Sequence, residues 1–335
     1  MNTSRLKVDE YRDGILEGDR VILARAITLM ESTLTDDQEL AEAVLTAVMS
    51  RTGKSLRIGI TGAPGVGKST FIEAFGNTLI ETGHKLAVLT IDPTSQVTLG
   101  SILGDKTRMA TLSRNPHAYI RPSPAGHTLG GVASHTREAI LLCEAAGFDR
   151  IIVETVGTGQ SEITIRSMVD FFLLLIQPGS GDELQGIKKG VVEMADAIVV
   201  TKADGDNARL ARSSAVDFQH ALHLLKPQRN GWTPKVMTCS SLESTGFTDI
   251  LDAIDAFYQQ TSRSGYFEQN RRNQNTTWFR DHFQRILTMD PHRYPLVVQR
   301  EEKLNSLVLS GAMSPRQAAH ELLRAYHESI KKDAD

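Results

Sequence analysis

The stretch Gly62-Ala63-Pro64-Gly65-Val66-Gly67-Lys68-Ser69 fits the phosphate-loop pattern, two glycines five apart followed by Lys-Ser, and constrains this chain more than any other feature. Upstream, Leu56, Ile58 and Ile60 alternate as in a short buried strand; downstream, Thr70 to Ile80 carries apolar residues at helical spacing. A glycine-rich loop between strand and helix, Gly62 through Thr70, can turn the backbone N–H groups of its non-proline residues onto phosphate oxygens. Lys68 adds a point charge there, and Ser69 offers a hydroxyl to Mg2+. The alternative is an ordinary Gly-rich turn. Gly53-Lys54-Ser55 also spells Gly-Lys-Ser, but Val48 stands where the first glycine belongs, so that stretch is a decoy.

Composition narrows the class of ligand and the setting. A chain of 335 residues suggests one sizeable domain with additions, or two domains. Its net charge of −3, with both signs interspersed, carries no electrostatic footprint for nucleic acid or an anionic membrane. The two cysteines, Cys143 and Cys239, are far apart, which argues against a disulfide framework or a zinc site and fits a reducing cytoplasm. Met1 to Glu10 is polar rather than an apolar signal core, and the longest apolar run, Phe171 to Ile176, is too short to span a bilayer. The expectation is a cytoplasmic protein that is neither exported nor embedded.

Along the chain, Lys7 to Arg51 reads as two helices, with Thr35 offering a capping-box start for the second. From Leu56 to about Tyr258, short apolar strands alternate with amphipathic stretches: Leu56–Ile60, Lys85–Thr90, Arg150–Val153, Phe171–Ile176, Ala197–Val200 and Lys235–Thr238. Such alternation predicts an α/β fold with a parallel sheet, in which ligands gather beyond the carboxyl ends of the strands. The tail from Tyr266 to Asp335 reads as helices punctuated by Pro291, Pro295 and Pro315. Ser314-Pro315-Arg316-Gln317 has the form of a capping box, after which Ala318, Leu322, Tyr326 and Ile330 share one face that needs a partner, either this chain's own core or a second copy.

The strand ends hold the unusual residues. Asp92 follows the second strand and can reach a metal at the phosphate loop, or simply cap the next turn. Glu154-Thr155-Val156-Gly157 follows the third and has the form of a Walker B or switch II element with Glu for Asp. Glu154 would hold Mg2+ or its water shell, Gly157 would present its N–H to the terminal phosphate, and Gln160 and Ser161 lie in the loop that would respond to that phosphate; a structural turn is the alternative. Thr201-Lys202-Ala203-Asp204 is the guanine-recognition pattern Asn-Lys-x-Asp with Thr for Asn. A carboxylate at Asp204 accepts from guanine N1–H and the 2-amino group, which adenine does not offer, while Lys202 would lie across the base. Thr201 lacks the amide that ties such a loop to the phosphate loop, and its hydroxyl is the group available to replace it. Thr238-Cys239-Ser240-Ser241 closes the last strand, where backbone N–H groups of Cys239, Ser240 and Ser241 can bind the guanine carbonyl, unless this is a plain strand exit.

In this order the elements resemble the MeaB/ArgK family of metallochaperone-like G proteins, relatives of the human methylmalonic aciduria type A protein. The resemblance runs nearly end to end and includes Leu23 to Leu29, Gly62 to Thr70, Asp92 to Ser95, Gly100 to Met109, Glu154 to Glu162 and Gly181 to Gly190. It implies a P-loop GTPase domain with a mainly parallel sheet at 51–262, flanked by an N-terminal helical extension at 1–50 and a C-terminal helical arm at 263–335 that forms a homodimer. It also implies GTP/GDP and Mg2+ as ligands, with Asp105 in switch I approaching the metal. Gly181 to Gly190 looks like an extra switch, with Gln185 and Lys188, that signals to a partner enzyme. The partner implied is adenosylcobalamin-dependent methylmalonyl-CoA mutase, whose cofactor delivery the protein would gate and which it would protect. Lys68, Glu154, Gly157 and Gln160 would serve a slow attack of water on the γ-phosphate. The rival classes are a P-loop kinase, which needs an acceptor pocket and a general base, and a metal-insertion GTPase, which needs clustered Cys and His.

Overall fold

The computed structural model describes residues 5–92, 109–124, 129–155, 161–179, 189–223 and 230–333. Its centre is a seven-stranded sheet in the order β3-β2-β4-β1-β5-β6-β7, every neighbouring pair parallel. The strands are β1 Leu56–Gly62, β2 Leu86–Asp92, β3 Ala118–Pro124, β4 Arg150–Thr155, β5 Phe171–Ile176, β6 Ala197–Val200 and β7 Lys235–Thr238. Six correspond to the apolar runs of the sequence. The seventh, β3, was not expected, because Ala-Tyr-Ile-Arg-Pro-Ser-Pro carries an arginine and two prolines. It pairs only with β2, and an edge strand tolerates proline because one of its sides needs no donors.

Alternation along each strand divides the interior in two. Ala87, Leu89, Ile91, Ile151 and Val153 face a core shared with α1 (Val8–Leu16), α2 (Arg20–Met30), α3 (Thr35–Val48) and α5 (Leu129–Ala145), through Ile15, Leu23, Ile27, Val44 and Leu142. Ile58, Ile60, Val88 and Ile152 face the other core, under α4 (Lys68–Glu81) and α9 (Phe247–Arg263), where Phe71 lies 5.5 Å from both Phe75 and Phe247. All six residues of β5 are buried, as a strand covered on both faces requires. Helix α8 (Asn207–His223) covers the β5–β6 side through Ala211 and Phe218. Short helices α6 (Ser161–Arg166) and α7 (Lys189–Met194) precede β5 and β6.

The N-terminal segment forms three helices rather than the expected two. Gly18, at φ +79°, ends the first, and the Asp19 carboxylate caps the second by accepting from Val21 N–H (2.7 Å) and Ile22 N–H (3.1 Å). Thr35 is the first helical residue of α3 rather than its cap; Leu34 occupies the cap position without a side-chain bond.

Compactness divides the chain after Gln274. Helix α10 is Tyr266–Met289, and within the second unit α11 (Pro295–Leu309) and α12 (Pro315–Asp333) pack through Val297, Leu304 and Ala318. Pro295 and Pro315 each open a helix, and the Ser314 capping box forms, with Gln317 N–H donating to Ser314 Oγ at 3.2 Å. Along α10 Phe279, Phe283, Ile286 and Leu287 are exposed, the two rings stacked 6.4 Å apart. Among the described residues no helix is long and apolar enough to cross a membrane.

Phe257, 1% exposed, meets Phe171 and Trp232 edge-on at 5.1 and 5.4 Å. Phe257→Ala is expected to cost about 3–5 kcal/mol of unfolding free energy. Urea denaturation followed by tryptophan fluorescence measures it, and a loss below about 1 kcal/mol contradicts this packing.

Candidate functional site: a nucleotide cleft at the sheet's carboxyl edge

Parallel strands all end at one edge, so the loops after β1, β4, β6 and β7 converge there. The phosphate loop leaves β1 between β4 and β5. At Gly62 a Cβ would stand 2.5 Å from the Leu175 carbonyl oxygen, so only glycine lets the loop turn here. Gly65 and Gly67 have φ of +81° and +93°, and Val66, fully buried between them, pins the loop to the core. Gly67 then caps α4, whose first turn presents N–H groups of Lys68, Ser69 and Thr70 toward the loop. The Lys68 ammonium arches back to donate to the carbonyl oxygens of Gly62 (2.8 Å) and Ala63 (3.3 Å). Burial pushes its pKa below the ordinary lysine value, while Glu154 and Glu162 pull it back up.

Glu154 lies near the end of β4, beside Ile60 of β1 and Thr90 of β2, and is 4% exposed. Ser69 is half-buried at the start of α4. A hydroxyl and a carboxylate are hard oxygen donors of the kind Mg2+ takes together with phosphate oxygens and water, so this pair fits that ion. Among the described residues no cluster of three or more His, Cys, Asp or Glu could hold a metal on side chains alone. Strand β2 ends at Asp92, whose side chain lies outside the described part. Asp105, Gly157, Gln160, Gln185 and Lys188 also lie outside the described residues.

The base-recognition side is built from the loops after β6 and β7. Thr201, 2% exposed, has its hydroxyl 2.8 Å from the Val66 carbonyl oxygen and 3.2 Å from that of Ile176. The first bond ties this loop to the phosphate loop. Lys202 adopts φ +54° and its ammonium donates to the Gly65 carbonyl at 2.8 Å, a second tie. The half-buried Asp204 carboxylate accepts from the Ser240 hydroxyl at 2.6 Å, and Ser240 Oγ in turn accepts from Glu243 N–H at 3.0 Å. The rotor is thereby fixed, and so is the carboxylate.

The strand exit corrects one expectation. Cys239 N–H is already bonded to Val200 O (2.9 Å) and Ser240 N–H to Thr245 O (3.1 Å), so neither is available to a guanine carbonyl. Ser241 N–H remains. The Cys239 thiol is buried, which pushes its pKa up to about 12 and makes it inert packing. The turn depends on Gly246, at φ +81°, where a Cβ would stand 2.2 Å from Thr238 O. Gly246 and the buried Glu162 carry no role in the sequence pattern alone. A glycine closing Ser244-Thr245-Gly246 was a readable turn signal, whereas nothing local marks Glu162 as facing Lys68.

The family described as methylmalonyl Co-A mutase-associated GTPase MeaB matches residues 23–290. The chain is 46% identical over 329 residues to the mitochondrial methylmalonic aciduria type A homolog of Mus musculus, covering 95% of this chain and 79% of that protein. It is 50% identical over 264 residues to the GTPase ArgK of Escherichia coli, covering 79% and 80% of the two. Among solved structures, a LAO/AO transport system kinase superposes with a TM-score of 0.74 at 37% identity, covering 96% of this chain and 99% of that one.

Thr201→Val keeps the shape and removes the hydroxyl that reaches Val66. One such bond is worth about 1 kcal/mol, so guanine nucleotide affinity is expected to fall about fivefold. Titration with a fluorescent GDP measures this, and an unchanged affinity would show that the tie is dispensable.

Proposed function

The chain belongs to the MeaB family of GTPases, and on that premise we propose that it is a nucleotide-gated chaperone for an adenosylcobalamin-dependent methylmalonyl-CoA mutase. The observation that carries the guanine half is Asp204 held by Ser240 on a loop doubly tied to the phosphate loop. The family's mutase-associated description supports the choice of client.

In this reading the backbone of Gly62 through Thr70 and the Lys68 ammonium cradle the β- and γ-phosphates. Asp204 selects guanine through two donors, Lys202 covers the base, and Ser241 N–H meets the guanine carbonyl. Ser69 and Glu154, with Asp92 and Asp105, would hold Mg2+, which would neutralise charge on the phosphates. Water attacks the γ-phosphorus and passes a proton to a γ-phosphate oxygen as the new P–O bond forms, and the bond to the β–γ bridging oxygen breaks to leave GDP and phosphate. Lys68 stabilises the charge that builds on the leaving oxygens, the N–H of Gly157 receives the γ-phosphate, and Gln160 orients the water. Gln185 and Lys188 carry the nucleotide state to the mutase. The exposed Phe279–Leu287 face of α10 is the surface we assign to a second copy of the chain, within a C-terminal arm at 263–335.

Phosphate release by the purified protein, measured at fixed Mg2+ with and without an adenosylcobalamin-dependent methylmalonyl-CoA mutase, tests the chaperone reading. A rise with the mutase is expected. No rise, with binding excluded at micromolar concentration, overturns the assignment of that client and leaves the GTPase. Lys68→Ala should lower turnover by about 10²-fold or more, the scale of losing one charge-stabilising group. Unchanged turnover would remove Lys68 from the chemistry.

A further inference from the structure

Helix α6 and the turn after it, residues 167–170, lie directly on the strand that ends in the phosphate loop. At Gly59 in β1 a Cβ would stand 2.8 Å from Ile165 Cγ2, 2.9 Å from Phe172 Cδ2 and 3.0 Å from Val169 Cγ2, so the helix and turn rest on bare backbone. Glu162, in the first turn of α6, is buried and acts electrostatically on the Lys68 ammonium. In the last turn Arg166 pairs with the fully buried Asp196 at 2.9 Å and donates to Asp170 O at 3.3 Å. The Ser167 hydroxyl donates to Thr164 O (2.6 Å) and accepts from Arg137 (2.9 Å).

The same turn holds the start of α10. Arg271 donates to both oxygens of the Asp170 carboxylate, at 2.8 and 2.6 Å, and to the carbonyls of Gly53 and Ser55. The Gln274 amide donates to Val169 O at 2.8 Å. A cavity of about 550 Å³ opens beside Arg271, and the two arginines Arg150 and Arg271 in its wall are paired with Asp149 and Asp170.

We propose that the turn 167–170 couples the phosphate site to the C-terminal helix, with Arg271 and Gln274 as the positioning residues that receive the displacement of α6. The physical basis is packing. A close-packed interior transmits a shift instead of absorbing it, and at Gly59 there is no side chain to give way. A movement of α6 driven by the nucleotide carries Val169 and Asp170 with it, and hence Arg271, Gln274 and the first turns of α10. Linkage makes the effect reciprocal: whatever fixes α10 alters the relative affinity for GTP and GDP by the same factor. The inference requires guanine nucleotide at the phosphate loop and is independent of the mutase.

Hydrogen exchange of the full-length protein, with GDP and with a non-hydrolysable GTP analogue, tests it. Peptides over 62–70 report that each nucleotide is bound. Exchange within 266–274 is expected to differ between the two nucleotides by at least about fivefold, the lower end of ordinary coupling. Gln274→Met keeps the side-chain volume and removes the bond to Val169, and Arg271→Lys keeps the charge and loses the fork. In both, the difference should shrink to under about twofold while protection at 62–70 persists. Equal exchange in 266–274 of the wild-type protein despite protection at 62–70, or an undiminished difference in well-folded Gln274→Met, would overturn the coupling.

Discussion

Close backbone approach along strand β1 is the constraint on which the rest of this structure depends. The strand lies between β4 and β5, and at two points no side chain can be accommodated on it. At Gly62 the limit is the Leu175 carbonyl, and relieving it permits the turn into the phosphate loop. At Gly59 the limit is Ile165, Val169 and Phe172, and relieving it lets α6 settle against the sheet. One strand therefore fixes both the phosphate cradle and the element that follows the expected switch segment. Substituting either glycine forces backbone or packed side chains to move, and neither neighbourhood has a flexible side-chain end to yield.

The opposite edge of the sheet is organised by charge. Asp149, Asp170 and Asp196 each stand immediately before a strand, β4, β5 and β6, and each accepts a backbone N–H from a neighbouring chain segment: Lys85 at 2.7 Å, Arg57 at 2.8 Å and Phe172 at 2.8 Å. These bonds satisfy donors that strand pairing leaves open and set the relative starts of the strands. The two buried ones are matched by arginines, Asp170 by Arg271 and Asp196 by Arg166, and Glu144 by Arg57 in the same way. Burial still pushes Asp196 up to about 6 against the pull of Arg166. Such pairs contribute little net stability relative to apolar packing, but losing one partner strands a charge, at a cost of about 3–5 kcal/mol. Their value here is positional, since they hold strand starts, α6 and α10 in one register.

Legibility in the sequence followed the range of the interactions. The phosphate loop, the guanine pattern and six strands were readable because each is specified by neighbours a few residues away. Strand β3 was not, because edge position, which excuses Pro122 and Pro124, is a property of the whole sheet. The split at Gly18-Asp19 was encoded locally, by a left-handed glycine and a capping aspartate, and was readable in principle. The Cys239 and Ser240 amides were assigned to the base, yet they are committed to Val200 and Thr245. What Ser240 supplies instead is its hydroxyl to Asp204, a contact across 36 residues that no local pattern announces. The Thr201 hydroxyl, the group available to replace an asparagine amide, does reach the phosphate loop, at Val66.

We propose that the Asp204 carboxylate fixed by Ser240, on a loop fastened to the phosphate cradle, makes this site guanine-selective. Competition of unlabelled GTP and ATP against a fluorescent GDP, at fixed Mg2+, tests it most directly. ATP is expected to require at least about 10²-fold more than GTP for half-displacement, since adenine leaves the Asp204 carboxylate without its donors. Equal displacement by the two nucleotides would contradict it.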